Sequence, residues 1–443
     1  MRWTIILVVV FVLINNLSAQ SKQSFVSVEG QTFILDGRPY YFLGTNMWYG
    51  ANLGARAEGG DRQRLIRELD HLKALGITNL RILGASEGLT QHNTVWPPIQ
   101  PQIGQYDERI LQGLDFLLAE MAKRNMKAVI FLNNFWVWSG GMSQYVSWLS
   151  GETLPNPFKE PFTWFQFMNF SARFYNDNQA NAYFRKYVKH LILRTNTVNH
   201  RRYVEDPTIM SWQLANEPRP GAGKPARANF PVFLKWIKET SDFIRSMDAN
   251  HLISTGNEGM YGSEFCDTLY IRMHQFKNID YTTFHLWLLN WRWFDPQKPA
   301  ATFPEALKKA KAYINQHVAF ARQVGKPLVL EEFGLPRDGH SYSPQATTDY
   351  RNRYFRKVFD WIYRNASQGG PLAGSNFWAW SGEGRPRDPQ NPEWKRGDDF
   401  TGDPPQEPQG RNSVFSSDSL TLKILKQAAR QMRELSVSQR AEK

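Results

Sequence analysis

Short apolar runs alternate along this chain with longer stretches in which apolar residues recur every three or four positions. The runs Tyr40–Thr45, Thr78–Leu83, Lys127–Leu132, Ile209–Leu214, His251–Thr255, Tyr281–His285, Leu328–Leu330 and Ser375–Trp378 read as buried strands. Between them the helical period predicts helices over Asp61–Leu75, Arg109–Arg124, Tyr183–Arg194, Val232–Met247, Glu305–Val324 and Tyr350–Arg364, with a closing helix over Leu420–Leu435. In the first of these, Leu65, Ile66, Leu69, Leu72 and Leu75 form one stripe, and Gly76 ends it. Strand and helix alternating about eight times is the pattern of a (β/α)8 TIM barrel, an α/β fold. Ahead of the barrel, Phe25–Leu35 reads as a hairpin turning at Glu29-Gly30, able to plug the barrel floor. Phe135–Asn176 reads as a long aromatic loop carrying Trp136, Trp138, Trp148 and Trp164, and Arg385–Pro408 as a Pro-rich loop after the last strand. With no linker or repeat in view, residues 20–443 read as a single catalytic domain.

Two of the strands end in carboxylate. Ile209–Leu214 runs into Ala215-Asn216-Glu217-Pro218, and Leu328–Leu330 into Glu331-Glu332-Phe333-Gly334. Pro218 stops the first strand from continuing. Alone, either Glu is explained as well by a cap or a salt bridge. Together they suggest one shared site, because the C-terminal ends of barrel strands form the catalytic face. Two facing carboxylates are the minimal equipment for cleaving a glycosidic bond. Neighbouring strand residues point to opposite faces, so only one of Glu331 and Glu332 is expected at the site. The Phe-Gly that follows favours Glu332. Arg81 on strand two, His285 ending strand six and Trp378 ending strand eight are directed to the same mouth. Trp48 and Asn134, just past strands one and three, and Trp136 beyond them complete the candidates.

Composition narrows the ligand. The net charge is +12, but its richest spots, Lys308-Lys309-Ala310-Lys311 and Arg201-Arg202, are small and separate, which argues against a nucleic-acid partner. Trp and Phe number 16 and 29. Many lie in loop-like stretches, which favours a ligand with flat sugar faces. The histidines show no metal spacing and no Gly-rich phosphate loop appears, so neither metal nor cofactor is expected. Residues 1–19 have a basic start, an apolar Thr4–Ile14 and small residues before Gln20, as in a secretory signal peptide. That run is short for a membrane span. The expectation is therefore a secreted or periplasmic protein, free of the membrane after cleavage. The single Cys266 excludes an internal disulfide.

The stretches Asp206–Arg219, Leu330-Glu331-Glu332-Phe333-Gly334 and Asn376-Phe377-Trp378-Ala379-Trp380 make the chain resemble glycoside hydrolase family 5, in the retaining clan of (β/α)8 glycosidases, from about Phe25 to the end. The likeness looks closest to the β-mannanase branch. It implies Glu217 as acid/base and Glu332 as nucleophile. It also implies Asn216 on the sugar 2-hydroxyl, Arg81 and His285 beside the carboxylates, and Trp378 as the floor under the sugar. One position departs. Two residues after the strand-six His, the family places a Tyr whose hydroxyl holds the nucleophile, and here stands Trp287. Its indole N–H can still donate, with a different reach. The resemblance implies a monomeric endo-β-1,4-mannanase acting on mannan, glucomannan or galactomannan. The alternatives are a β-1,4-glucanase or an exo-β-mannosidase on the same fold, or a sugar-binding protein on a disabled barrel.

Overall fold

The computed structural model describes residues 24–88 and 94–438. The expected signal peptide, residues 1–19, lies outside them. Eight parallel strands form the core: β1 Phe42–Asn46, β2 Asn79–Leu83, β3 Lys127–Phe131, β4 Ile209–Gln213, β5 Leu252–Ser254, β6 Thr282–Leu286, β7 Leu328–Phe333 and β8 Leu372–Phe377. Every residue in them is buried, as the uninterrupted apolar runs require. The ladder runs β5-β4-β3-β2-β1-β8-β7-β6. At the β5–β6 seam, single bonds from Asp280 N–H to Ile253 O (2.8 Å) and from His285 N–H to Glu258 O (3.1 Å) tie the two edges together. The result is the expected (β/α)8 barrel.

The hairpin forms where the pattern placed it, Ser27–Glu29 against Thr32–Leu35, with Arg38–Pro39 as a short third strand. Its Phe33 packs on Tyr281 (5.3 Å) and Phe42 (6.3 Å), and Phe25 meets His251 (5.0 Å). Those partners stand where β6, β1 and β5 begin, so the hairpin covers the N-terminal floor. Helix ends follow their caps. The Asp61 carboxylate accepts the Arg64 N–H to start Arg62–Leu75, and Gly76, at φ 83°, turns the chain out of it.

The aromatic connection after β3 is not the loop its composition suggests. It holds helices Gly141–Ser150 and Trp164–Ala172. The second begins with a capping box, in which Thr163 and Gln166 satisfy each other's backbone N–H groups. Aromatic residues that look like loop decoration are the apolar face of these helices: Phe167 and Phe170 are buried. A further helix, Asp267–Gln275, lies between β5 and β6, where none was expected. The connection after β8 does lack helix, but it is pinned. Trp380–Gly382 pairs with Val414–Phe415, and the buried Asp403 carboxylate accepts the N–H groups of Gly410 (3.0 Å), Asn412 (2.8 Å) and Ser413 (3.2 Å). Among the described residues no helix is long and apolar enough to cross a membrane.

Candidate active site

Glu217 and Glu332 stand at the C-terminal ends of β4 and β7, on one barrel mouth. Glu217 has φ 49°, the left-handed region that a residue with a Cβ adopts at some cost. Its N–H donates to Gly256 O (2.9 Å), which fixes that conformation. Glu332 reaches the mouth through an irregularity. The pairing of β7 with β6 slips between Leu330 and Glu332, so that Leu330 faces Phe284 and Glu332 already faces His285.

That slip overturns the expectation that Glu331 points away. The extra residue breaks the strict alternation of faces, and both carboxylates turn inward. Glu331 is buried under the site. Both its oxygens accept from Gln213 Nε2 at 2.8 Å, and the Tyr281 hydroxyl lies 3.5 Å from Oε1. Burial pushes this carboxyl up to about 7.

Arg81 ties the layers together. Nη1 donates to Glu332 Oε1 at 2.5 Å and to Asn46 Oδ1 at 3.1 Å, Nη2 to Asn216 Oδ1 at 2.7 Å, and Nε to Gln213 Oε1 at 2.8 Å. His285 lies between the two mouth carboxylates. Its Nδ1 is 2.5 Å from Glu217 Oε1 and 3.4 Å from Glu332 Oε2. The Trp136 indole N–H donates to the other Glu217 oxygen. That indole is itself held by Phe167, stacked at 6.1 Å, and by the Arg219 guanidinium, 4.9 Å from its ring centre.

Burial pushes the Glu332 carboxyl well above its ordinary range; Arg81 pulls it back, and the charge of Glu217 raises it further. At Glu217 burial raises the carboxyl, and the charge and hydrogen bond of His285, the charge of Arg219 and the Trp136 N–H together more than offset this and lower it. Burial of His285, however, pushes the imidazole down to about 4. At neutral pH the imidazole is uncharged, so its charge no longer lowers Glu217, while the Arg219 charge and the Trp136 hydrogen bond still do. The ion pair with Arg81 favours ionised Glu332, against the burial that raises it. The two carboxyls stand close enough to titrate as a pair, so the charge of one favours the proton on the other.

The mouth opens into a cavity of about 490 Å³, walled by Trp136, Trp138, Trp164, Trp287, Trp291 and Trp378 around the carboxylates. Asn216 also lines it. Four candidates do not line it: Arg81 and His285, which stand behind the carboxylates, and Trp48 and Asn134. Trp48 is buried below it, its indole donating to Gly402 O (3.0 Å). Asn134 is buried and accepts from Asn216 Nδ2 (3.1 Å), so it orients that residue. Trp287 departs from its expected part as well. It stands edge-on to Trp378, at 6.0 Å and 76°. Among the described residues no hydrogen bond joins it to Glu332. Sequence reasoning also passed over the Arg219–Glu258 ion pair and Gln406, Glu407 and Arg411 of the β8 connection, all of which line the cavity. Arg219 was legible as the residue after Glu217-Pro218. The others had no local signal, because the folding of a long connection brings them in.

One donor atom each of Glu217, His285 and Glu332 lie within 4.8 Å of one another, close enough to hold a metal ion. For two carboxyls the same closeness fits the ~5–5.5 Å of a retaining glycosidase and not the ~6.5–9.5 Å of an inverting one. The family model for GH family 5 beta-mannosidase-like proteins matches residues 23–437. The chain belongs to glycoside hydrolase family 5. Within that family it is similar to a putative mannan endo-1,4-beta-mannosidase 4 of Arabidopsis thaliana, 31% identical over 383 residues, covering 83% of this chain and 85% of the relative. Among solved structures, a glycoside hydrolase family 5 mannosidase from Rhizomucor miehei superposes with TM-score 0.86 at 39% identity, over 94% of this chain and 99% of that one. An endo-beta-1,4-mannanase from Thermotoga petrophila gives TM-score 0.66 at 25% identity, over 90% and 78%. The chain is thus a glycosidase of this family over residues 23–437 as well as by its two Glu motifs.

Proposed function

We propose that this protein cleaves the β-1,4-mannosidic backbone of mannan, glucomannan or galactomannan with retention of configuration, as an endo-acting enzyme. The observation that carries the reading is the closeness of Glu217 and Glu332 across the mouth, bridged by His285. Glu217, protonated, gives its proton to the leaving oxygen while Glu332, ionised and held by Arg81, attacks the anomeric carbon. Glu217 then takes a proton from a water whose oxygen attacks the anomeric carbon; the bond to Glu332 breaks, which frees the sugar and restores both carboxyls. Asn216, oriented by Arg81 and Asn134, is proposed to meet the 2-hydroxyl, and Trp378 to form the sugar floor. The names of the plant relatives support mannan as the substrate. Intact carboxylates with their partners in place argue against a sugar-binding protein on a disabled barrel.

An exo-acting β-mannosidase is the second reading. The greater likeness to the Rhizomucor miehei mannosidase than to the Thermotoga petrophila mannanase favours it, as does the wall that residues 404–411 add to the cavity. Product analysis on mannohexaose decides between them. An endo enzyme releases mannobiose and mannotriose early, whereas an exo enzyme releases mannose alone. Cellulose as a parallel substrate tests the glucanase reading. Export is proposed from residues 1–19 and is checked by N-terminal sequencing of the secreted protein.

A further inference from the structure

The hydrogen bond that reaches Glu217 starts a line of aromatic rings that runs out of the cavity to the surface. The Trp136 ring lies 5.6 Å from Trp164, edge-on at 81°, and Trp164 lies 5.1 Å from Phe158, edge-on at 82°. Both outer rings line the cavity and are open to solvent: Trp164 is 40% exposed and Phe158 56%. Phe165, next to Trp164 in sequence, is 51% exposed but does not line the cavity. Large apolar side chains left in water as one group, next to a catalytic mouth, mark a binding surface more readily than chance exposure. The surface is rigidly built. Trp164 is the first residue of a helix closed by the Thr163–Gln166 capping box, and Phe167 one turn on is fully buried against Trp136 and Phe135.

We propose that Trp164 and Phe158 form a shelf for the mannan chain on the leaving-group side of the scissile bond. This rests on the reading of Glu217 as the acid. The group that protonates the leaving oxygen faces the departing sugar, so rings continuing outward from Glu217 through Trp136 follow the departing chain. The chemistry suits that occupant, since the C–H faces of pyranose rings lie on aromatic rings. The β8 connection bearing Glu407 stands on another side of the mouth, three strands round the barrel from the β3 connection that carries the shelf. The shelf therefore extends the site on the side away from that wall, and the substrate it selects has several sugars beyond the cleaved bond.

The test compares Trp164→Ala with the unaltered enzyme on 4-nitrophenyl β-mannoside, whose leaving group is a single ring, and on mannohexaose. The shelf predicts that kcat/KM falls at least tenfold further on mannohexaose than on the aryl mannoside. Trp164→Phe, which keeps an aromatic face, should recover most of the difference. Phe158→Ala, at a more exposed position outside the helix, should show the same discrimination to a smaller extent. Equal loss on the two substrates would overturn the shelf, because it would mean that Trp164 acts only by supporting Trp136. Undiminished activity of both alanine variants on mannohexaose would overturn it too. If the unaltered enzyme hydrolyses neither substrate, the β-mannoside reading fails instead.

Discussion

Glu331 and Glu332 are consecutive on β7, yet both carboxylates face the barrel interior, one shared with Gln213 and the other with Arg81. Arg81 Nε is also 4.0 Å from Glu331 Oε2, so a single guanidinium lies between two buried acids. Burial holds the Glu331 carboxyl up to about 7, so through the acidic range it is protonated and adds no charge beside Glu332. Glu331→Gln is therefore expected to fold and to leave the acidic limb of the kcat/KM profile where it stands in the parent. Glu331→Leu removes the acceptor of one Gln213 amide N–H and should destabilise the fold by about 1–3 kcal/mol, readable by urea denaturation. An acidic limb moved to lower pH in Glu331→Gln would show instead that the lower carboxyl is ionised there and repels Glu332.

Arg81 makes contacts with four different side chains, and an ammonium cannot reproduce that fork. Arg81→Lys should therefore lower kcat/KM by about 100-fold or more, with kcat carrying most of the loss, as expected when several hydrogen bonds to charged groups are lost. Steady-state kinetics on mannohexaose checks this. A change confined to KM would place Arg81 in ground-state binding only.

Trp287 packs edge-on against Trp378 and lines the cavity, so it is proposed as a wall of the sugar site and not as a support for Glu332. Trp287→Phe should raise KM on long substrates by about 2- to 10-fold, the worth of one aromatic pair. The acidic limb should stay in place. A rise in that limb would restore the hydrogen-bond role that its position in the sequence suggested.

Much of this architecture was legible in the chain, and the failures share a cause. Each barrel strand is an apolar run, and the caps at Asp61 and Gly76 are local, so strand and helix positions followed from neighbours in sequence. Glu217, Glu332, Arg81 and His285 were legible because strand ends converge at one mouth. Glu331 was misplaced because a slip in register depends on the partner strand and leaves no mark on its own. Trp48 and Asn134 sit at the expected strand ends, but Gly402 and Asn216 claim their polar groups. The helix at Trp164–Ala172 was missed although its capping box was written in Thr163 and Gln166. There the aromatic content masked the helical period.

Glu87, buried behind the Trp136 turn, accepts the Gly141 N–H at 2.9 Å, and burial pushes its carboxyl up to about 8. A carboxyl whose folded pKa lies above its unfolded value of about 4.5 holds its proton longer in the folded state. Its contribution to stability is therefore full below about pH 4.5 and is lost as pH rises towards 8. Glu87→Gln, which stays neutral, should match the parent near pH 4.5 and exceed it at pH 8 by a gap on the order of 1–3 kcal/mol. Denaturant midpoints at the two pH values check this, and a gap that does not grow with pH would place the ionised carboxylate in a better-solvated state than its burial implies.

Glu217→Gln and Glu332→Gln should each abolish hydrolysis of mannan while the thermal unfolding transition survives. The central claim, that these two carboxylates act as acid/base and nucleophile at retaining distance, is tested most directly by the anomer of the first product. Followed by proton NMR during the first minutes of mannohexaose cleavage, before mutarotation mixes the forms, the new reducing end should appear as the β anomer. An initial α anomer would contradict the account, because it requires a water to stand between the carboxylates at the ~6.5–9.5 Å separation of an inverting site.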